Sequence, residues 1–200
     1  MQESPATRAS LLVRIRDGGD VGAWQEFVRL YAPVIYGFAR KRGLQDADAA
    51  DLMQDVLRSV SSAVHQLDYD RVRGTFRGWL FTVTRNKVFN FLESRSRRVQ
   101  ASGDSRVQQR LEQHADAKGE LATDWEADYQ RAMAAQAMEC VKGEFQAATW
   151  EAFIQTAVEG RTPSQVSARV GLSVGAIYVA KSRVIARLRQ EIERMQEVEP

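Results

Sequence analysis

Between Gly160 and Arg189 the chain spells out two helices and the turn that joins them. Thr162 is followed at once by Pro163 and, three residues on, by Gln165. That order supplies an N-cap hydroxyl, a ring suited to the first helical position, and an amide that reaches back to close a capping box. Gly171 ends this short helix as a C-cap residue. Ser173 can cap the next helix, which has no Gly or Pro after Gly175 and runs long. A short helix, a tight glycine turn and a long basic helix are the sequence form of a helix-turn-helix.

The second helix sorts its residues by face. Ile177, Ala180 or Lys181, Val184 and Leu188 recur at three- and four-residue steps and are expected to pack inward. Gly175, Tyr178, Val179 and Ser182 fall on another face, with Arg183 beside them. From Arg161 to Arg189 there are six basic residues and no Asp or Glu. One-sided charge of this kind suits a phosphate backbone, whereas a solvated helical hairpin gives no reason to exclude acids.

The basic character is local, because 28 Lys and Arg face 26 Asp and Glu over 200 residues. One cysteine, Cys140, permits no intramolecular disulfide; it lies in an apolar helical run and reads as a core residue. His65 and His114 have no partners at metal-binding spacing, so neither metal nor cofactor is expected. His65 reads as a helix-surface residue and His114 as part of a linker. No apolar run reaches membrane-span length and the N-terminus has no signal-peptide core. The expectation is a soluble cytoplasmic protein that makes no membrane insertion.

Upstream the periodicity is helical throughout, giving an all-α fold class. Ala6 to Arg16 patterns as a short amphipathic helix, and Trp24, Phe27, Val28, Tyr31, Ile35 and Phe38 mark a longer one that Pro33 is expected to kink. Asp46 to Val64 is helical with an acidic first half. Acids stabilise a helix N-terminus in any protein. Asp51, Gln54 and Asp55 nevertheless share a face opposite Leu52, Val56 and Val60, leaving an acceptor-rich stripe. A loop through Tyr69, Arg71, Arg73 and Gly74 leads to a helix from Trp79 to about Ser94. From Arg71 to Arg98 eight basic residues face the single acid Glu93, with Phe76, Trp79, Phe81, Phe89 and Phe91 interleaved. Rings that stack and arginines that hold phosphate suit unpaired bases, although Trp79 and Phe89 read as core. Residues 100–128 turn polar and acidic, and the apolar pattern resumes at Trp125, Tyr129 and Met133 in helices expected to prop the helix-turn-helix.

Two DNA-facing helical domains joined by an acidic linker resemble the bacterial sigma factors of the extracytoplasmic-function (ECF) group. Asp48-Ala49-Ala50-Asp51-Leu52-Met53-Gln54-Asp55-Val56 looks like that family's core-polymerase-binding motif. Phe76-Arg77-Gly78-Trp79-Leu80-Phe81-Thr82-Val83-Thr84-Arg85-Asn86, with Arg95 further on, looks like the segment that melts and reads the minus-ten element. Trp150-Glu151-Ala152-Phe153 with the helix-turn-helix looks like the domain that reads the minus-thirty-five element.

The resemblance implies a transcription initiation factor with no catalytic residue and no metal. It implies a region 2 domain at 1–98, an acidic linker at 99–127 and a region 4 domain at 128–200. Its partners would be core RNA polymerase, promoter DNA and, in this family, an anti-sigma factor. Asp48, Asp51, Leu52, Gln54 and Asp55 would meet polymerase. Tyr69, Arg71, Arg73, Phe76, Arg77, Arg85, Asn86, Lys87 and Arg95 would meet the minus-ten DNA. Ser173, Gly175, Ala176, Tyr178, Val179, Lys181, Ser182, Arg183 and Arg187 would meet the minus-thirty-five DNA, with Lys181 and Arg187 on phosphate.

A helix-turn-helix regulator that acts without being a polymerase subunit is the alternative. It leaves the acidic stripe and the basic aromatic block without a role. A nucleic-acid enzyme would need a nucleophile or a metal-binding carboxylate cluster, and the acids of residues 46–55 lie at the start of a helix where no basic partner is expected.

Overall fold

The structure is a computed structural model and describes residues 9–16, 18–64, 75–100 and 118–196. Among them every regular element is helical. In chain order these are α1 (Ala9–Arg16), α2 (Val21–Lys41), α3 (Asp46–Ala63), α4 (Phe76–Gln100), α5 (Lys118–Lys142), α6 (Ala147–Phe153), α7 (Pro163–Val170) and α8 (Val174–Gln196). A π-helical turn, Ile154–Val158, extends α6. The chain divides into two compact units, the first reaching to Ala132 and the second starting at Met133.

In the first unit Asp20 caps α2 by accepting the Ala23 N–H at 2.8 Å. The same carboxylate takes the Arg14 guanidinium at 2.8 Å and so ties α1 to the start of α2. That pairing holds the Asp20 carboxyl below its ordinary range. Phe27, Leu30, Tyr31, Val34, Ile35 and Phe38 form the buried stripe of α2. Pro33 stands on the opposite, exposed side and α2 continues through it. Gly43, at φ +85°, ends the α2 segment in a left-handed conformation that disfavours a side chain. Ala49, Leu52, Val56 and Val60 bury the inner face of α3.

The core of this unit is aromatic. Phe76 meets Phe27 and Tyr31 edge-on, both with centroids 5.9 Å apart. Phe38 meets Phe81 at 5.8 Å and Trp125 at 5.6 Å, also edge-on. Such pairs place ring edges against ring faces, the arrangement that the aromatic quadrupole favours.

Trp125 and Tyr129 correct the sequence reading. Both were expected among the helices that support the helix-turn-helix; both belong to the first unit. Leu121, Trp125 and Tyr129 recur at four-residue steps on α5 and are buried, with Tyr129 stacked on Tyr31 at 5.6 Å. Residues 118–127, expected in a polar linker, are helical. Two of their three acids are matched: Asp124 faces Arg42 at 4.0 Å and Glu126 faces Arg77 at 3.5 Å, while Asp128 just beyond binds Lys41 at 2.8 Å. The acidity therefore complements the first unit's own cations. Residues 101–117, with the helical turn expected near Val107 to His114, lie outside the described residues.

In the second unit Met133, Ala137 and Val141 form the inward stripe of α5. Cys140 precedes Val141 by one residue, about 100° around the helix, and is exposed rather than in the core. Gln155 and Thr156 of the π-helical turn are buried, and Gly160, at φ +71°, redirects the chain toward α7.

Candidate nucleic-acid interface

The helix-turn-helix is fixed by its own side chains. The Thr162 hydroxyl accepts the Gln165 N–H at 3.4 Å, and the Gln165 side-chain oxygen accepts the Thr162 N–H at 3.1 Å. Gly171 sits at φ +70° and its N–H donates to the Ser167 carbonyl at 3.1 Å. The Ser167 hydroxyl donates to the Leu172 carbonyl at 2.7 Å, across the turn. Ser173 then caps α8 by accepting the Ala176 N–H at 3.2 Å. Beneath the turn Ala152, Val166, Ile177 and Ala180 are buried together, with Val170 and Leu172 packed against them. Of the two candidates for the inward step on α8, Ala180 takes it and Lys181 is half-buried beside it.

The opposite face of α8 is open. Tyr178 is 59% exposed and Val179 50%, and Ser173, Gly175, Ser182 and Arg183 are exposed with them. Ala176 is half-buried. A Cβ on Gly175 would meet nothing within 4 Å, so the fold itself does not require glycine there. Among the described residues no carboxylate pairs with Lys181 or Arg183.

Arg187 differs from the expectation of a phosphate contact. Its Nε and Nη2 each donate to the Glu144 carboxylate at 2.7 Å, and Nη1 and Nη2 both donate to Glu191 at 3.1 Å. The Glu144 bonds hold the guanidinium above its ordinary pKa. Glu191 is buried and also takes the Arg194 Nε at 3.0 Å; these bonds, with Arg194 first, hold its carboxyl below the usual range. Glu144 lies in the turn after α5, far from α8 in sequence, so no local signal marks this partner.

The first unit separates the residues expected to meet the minus-ten DNA. Tyr69, Arg71 and Arg73 lie outside the described residues. Phe76 is buried in the aromatic core and offers no face to a base. Arg77 is only 3% exposed, under the Tyr129 ring, and is likewise closed to DNA. Asn86 is exposed, in line with Gly78, Thr82 and Asn90 on one side of α4. Arg85 is half-buried with its guanidinium 5.2 Å from the Phe89 ring centre. Trp79 and Phe89, read as core, are half-buried.

Lys87 and Arg95 turn toward α3 instead. A groove between α3 and α4 is lined by Asp48, Asp51, Leu52, Asp55, Lys87, Asn90 and Phe91. Arg95 faces Asp48 at 3.6 Å, and Arg58 binds Asp55 at 2.6 Å. Asp51 and Gln54 are exposed. Leu52 is buried, so it supports the groove from below rather than presenting a contact of its own. The acidic stripe of the sequence is thus one wall of a groove whose other wall carries Lys87 and Phe91. Sequence reasoning missed that pairing because it depends on how α3 and α4 pack.

Among the described residues no group of His, Cys, Asp and Glu has the arrangement of a metal site, and no helix is long and apolar enough to cross a membrane.

Residues 27–98 match the family model described as Sigma-70 region 2. The ECF RNA polymerase sigma factor RpoE of Cereibacter sphaeroides is 33% identical over 78 residues, 39% of this chain and 42% of that protein. The RNA polymerase sigma factor CnrH of Cupriavidus metallidurans is 24% identical over 188 residues, 92% of this chain and 94% of that protein. The matched stretch thus spans less than half of the first relative and nearly all of the second.

Proposed function

We propose that this chain acts as an RNA polymerase sigma factor of the extracytoplasmic-function group: that it binds core polymerase, directs it to promoters read at two elements, and helps to open the duplex there. The observation that carries the reading is a region 2 match over residues 27–98 in the same chain as a capped helix-turn-helix with an open basic face.

In this reading the first unit serves as region 2 and the helix-turn-helix as region 4. Asp51, Gln54 and the groove between α3 and α4 meet polymerase, with Asp48 and Asp55 flanking. The exposed side of α4, with Asn86 at its middle and Arg85 at its edge, meets the minus-ten strand. Unstacking a base costs a few kcal/mol per step, and contacts to the freed strand offset that cost. The protein needs no catalytic group for this; it supplies binding energy to a transition carried out on polymerase. The α8 face of Tyr178, Val179, Ser182 and Arg183 enters the major groove of the minus-thirty-five element, and Lys181 holds phosphate.

Reconstitution with core polymerase tests the reading. Specific transcripts are expected from a promoter library only when both components are present, with weak DNA binding by the protein alone. Tight specific DNA binding without polymerase, and no transcripts with it, would instead identify a regulator that is not a polymerase subunit. An anti-sigma partner is sought separately, by co-purification from cells under non-inducing conditions.

A further inference from the structure

We propose that Arg187 is a positioning residue: through Glu144 it sets the pose of α8 in the major groove. The inference rests on the reading of α8 as the minus-thirty-five recognition helix.

Arg187 lies one helical turn beyond Arg183, on the half of α8 that follows the exposed reading face. Its fork meets the Glu144 carboxylate through two bonds of 2.7 Å, the bidentate geometry that fixes direction as well as distance. Glu144 is part of the turn between α5 and α6, so the bond joins α8 to a separate element of its unit. On the other side Arg187 binds Glu191, and Arg194 binds the second oxygen of the same buried carboxylate. In the chain Glu144–Arg187–Glu191–Arg194 only the Glu144 bond leaves α8, so that bond is the one that restrains the helix's rotation and slide, while Glu191 and Arg194 hold the Arg187 fork in place.

Those are the two motions that base reading tolerates least. Side chains that must meet base edges have to be held within about 0.5 Å of their working position. A lysine on a phosphate follows small shifts without loss. On this proposal the basic charge of Arg187 is directed to Glu144 and Glu191 rather than to DNA. Four of the five guanidinium N–H donors are already taken, which leaves a phosphate a single Nη1 N–H unless it displaces a carboxylate.

The test uses the full chain bound to core polymerase and a promoter library randomised at both elements. Glu144→Gln, Arg187→Gln and Arg187→Lys are compared with the parent at a temperature where circular dichroism shows each fully folded. All three are expected to flatten base preference at several minus-thirty-five positions by about three- to tenfold. Preference at the minus-ten element and the salt dependence of binding should stay unchanged. Arg187→Lys keeps the charge but loses the fork, so it should resemble Arg187→Gln.

A phosphate contact gives a different pattern and overturns the proposal. Arg187→Gln would then lower the salt slope by about one, Arg187→Lys would resemble the parent, and Glu144→Gln would leave binding intact or tighten it. Equal loss at both promoter elements, in step with the folded fraction, also overturns it, because that is the signature of a fold contact alone. A parent protein with no minus-thirty-five preference overturns the reading of α8 itself and the proposal with it.

Discussion

The Arg77 guanidinium carbon lies 4.4 Å from the centre of the Tyr129 ring. The pair joins α4 to a helix that the sequence assigns to a different domain. Burial of Tyr129 pushes its hydroxyl pKa up, as expected for a phenol in an apolar setting. Glu126, one turn before Tyr129 on the same face, adds an ion pair to Arg77 at 3.5 Å. A cation beneath an aromatic ring and beside a carboxylate is stabilised where a lone buried arginine would not be.

Arg77 and Asn86 should therefore behave differently although both lie on α4. Tyr129→Ala or Arg77→Ala is expected to destabilise the first unit by about 3 kcal/mol, read by urea unfolding. Closed and open complexes should then fall together. Asn86→Ala should leave the unfolding curve in place and reduce open complexes, read by permanganate footprinting, more than closed ones. If Asn86→Ala also shifts the unfolding midpoint and both complexes alike, Asn86 is structural.

Replacing Asp51 and Gln54 together with Ala should weaken capture of core polymerase while the circular dichroism spectrum and melting temperature stay unchanged, since both side chains are exposed. Leu52→Ala should do the reverse in kind. It opens a cavity under the groove, costs about 2–5 kcal/mol of stability, and lowers polymerase binding only through the loss of folded protein. Unchanged capture by the double variant would remove this surface from the interface.

Arg183→Ala should relax preference at one or two positions of the minus-thirty-five element, because an arginine fork on a guanine edge discriminates by roughly 1–3 kcal/mol. Lys181→Ala should weaken all promoters alike and reduce the salt slope by about one. A selected library in which Arg183→Ala keeps the parental bases would move base reading to another face of α8.

Glu191 gives the second unit an acid-sensitive contact. Its carboxyl is held below the ordinary glutamate value of about 4.3 by Arg194 and Arg187. A group with a depressed folded pKa contributes stability above its unfolded pKa and loses it as pH falls through the folded one. The contribution should be constant from neutral pH down to about 4.3 and decline below it. Thermal melts from pH 7 to pH 3 should show that decline in the parent and a flatter profile in Glu191→Gln. Parallel profiles would show that other carboxylates dominate the acid response.

The two helices after Gly160 and their caps were legible because their determinants are local. Thr162, Gln165, Gly171 and Ser173 act on residues a few positions away, and each does what its chemistry indicates. The all-α class followed from periodicity for the same reason. What failed to show were matches across the chain. Lys41 meets Asp128, Arg77 meets Tyr129, and Arg187 meets Glu144, and nothing near any of these residues names its partner. Charge runs misled in the same way. The six cations after Gly160 look uniformly available, yet Arg161 is paired with Glu159 and Arg187 with Glu144 and Glu191. Cys140 shows the limit of periodicity itself, since a one-residue error in phase turns a core position into a surface one.

The four side-chain bonds that shape the turn from Thr162 to Ala176 each link residues no more than five apart. Closing such short loops sacrifices little chain entropy, and contacts of this kind form early in folding. The turn between α7 and α8 should therefore assemble on its own timescale, ahead of the distant pairing of Glu144 with Arg187. In a pulse-labelled refolding experiment its amides should gain protection from exchange before those at the C-terminal half of α8.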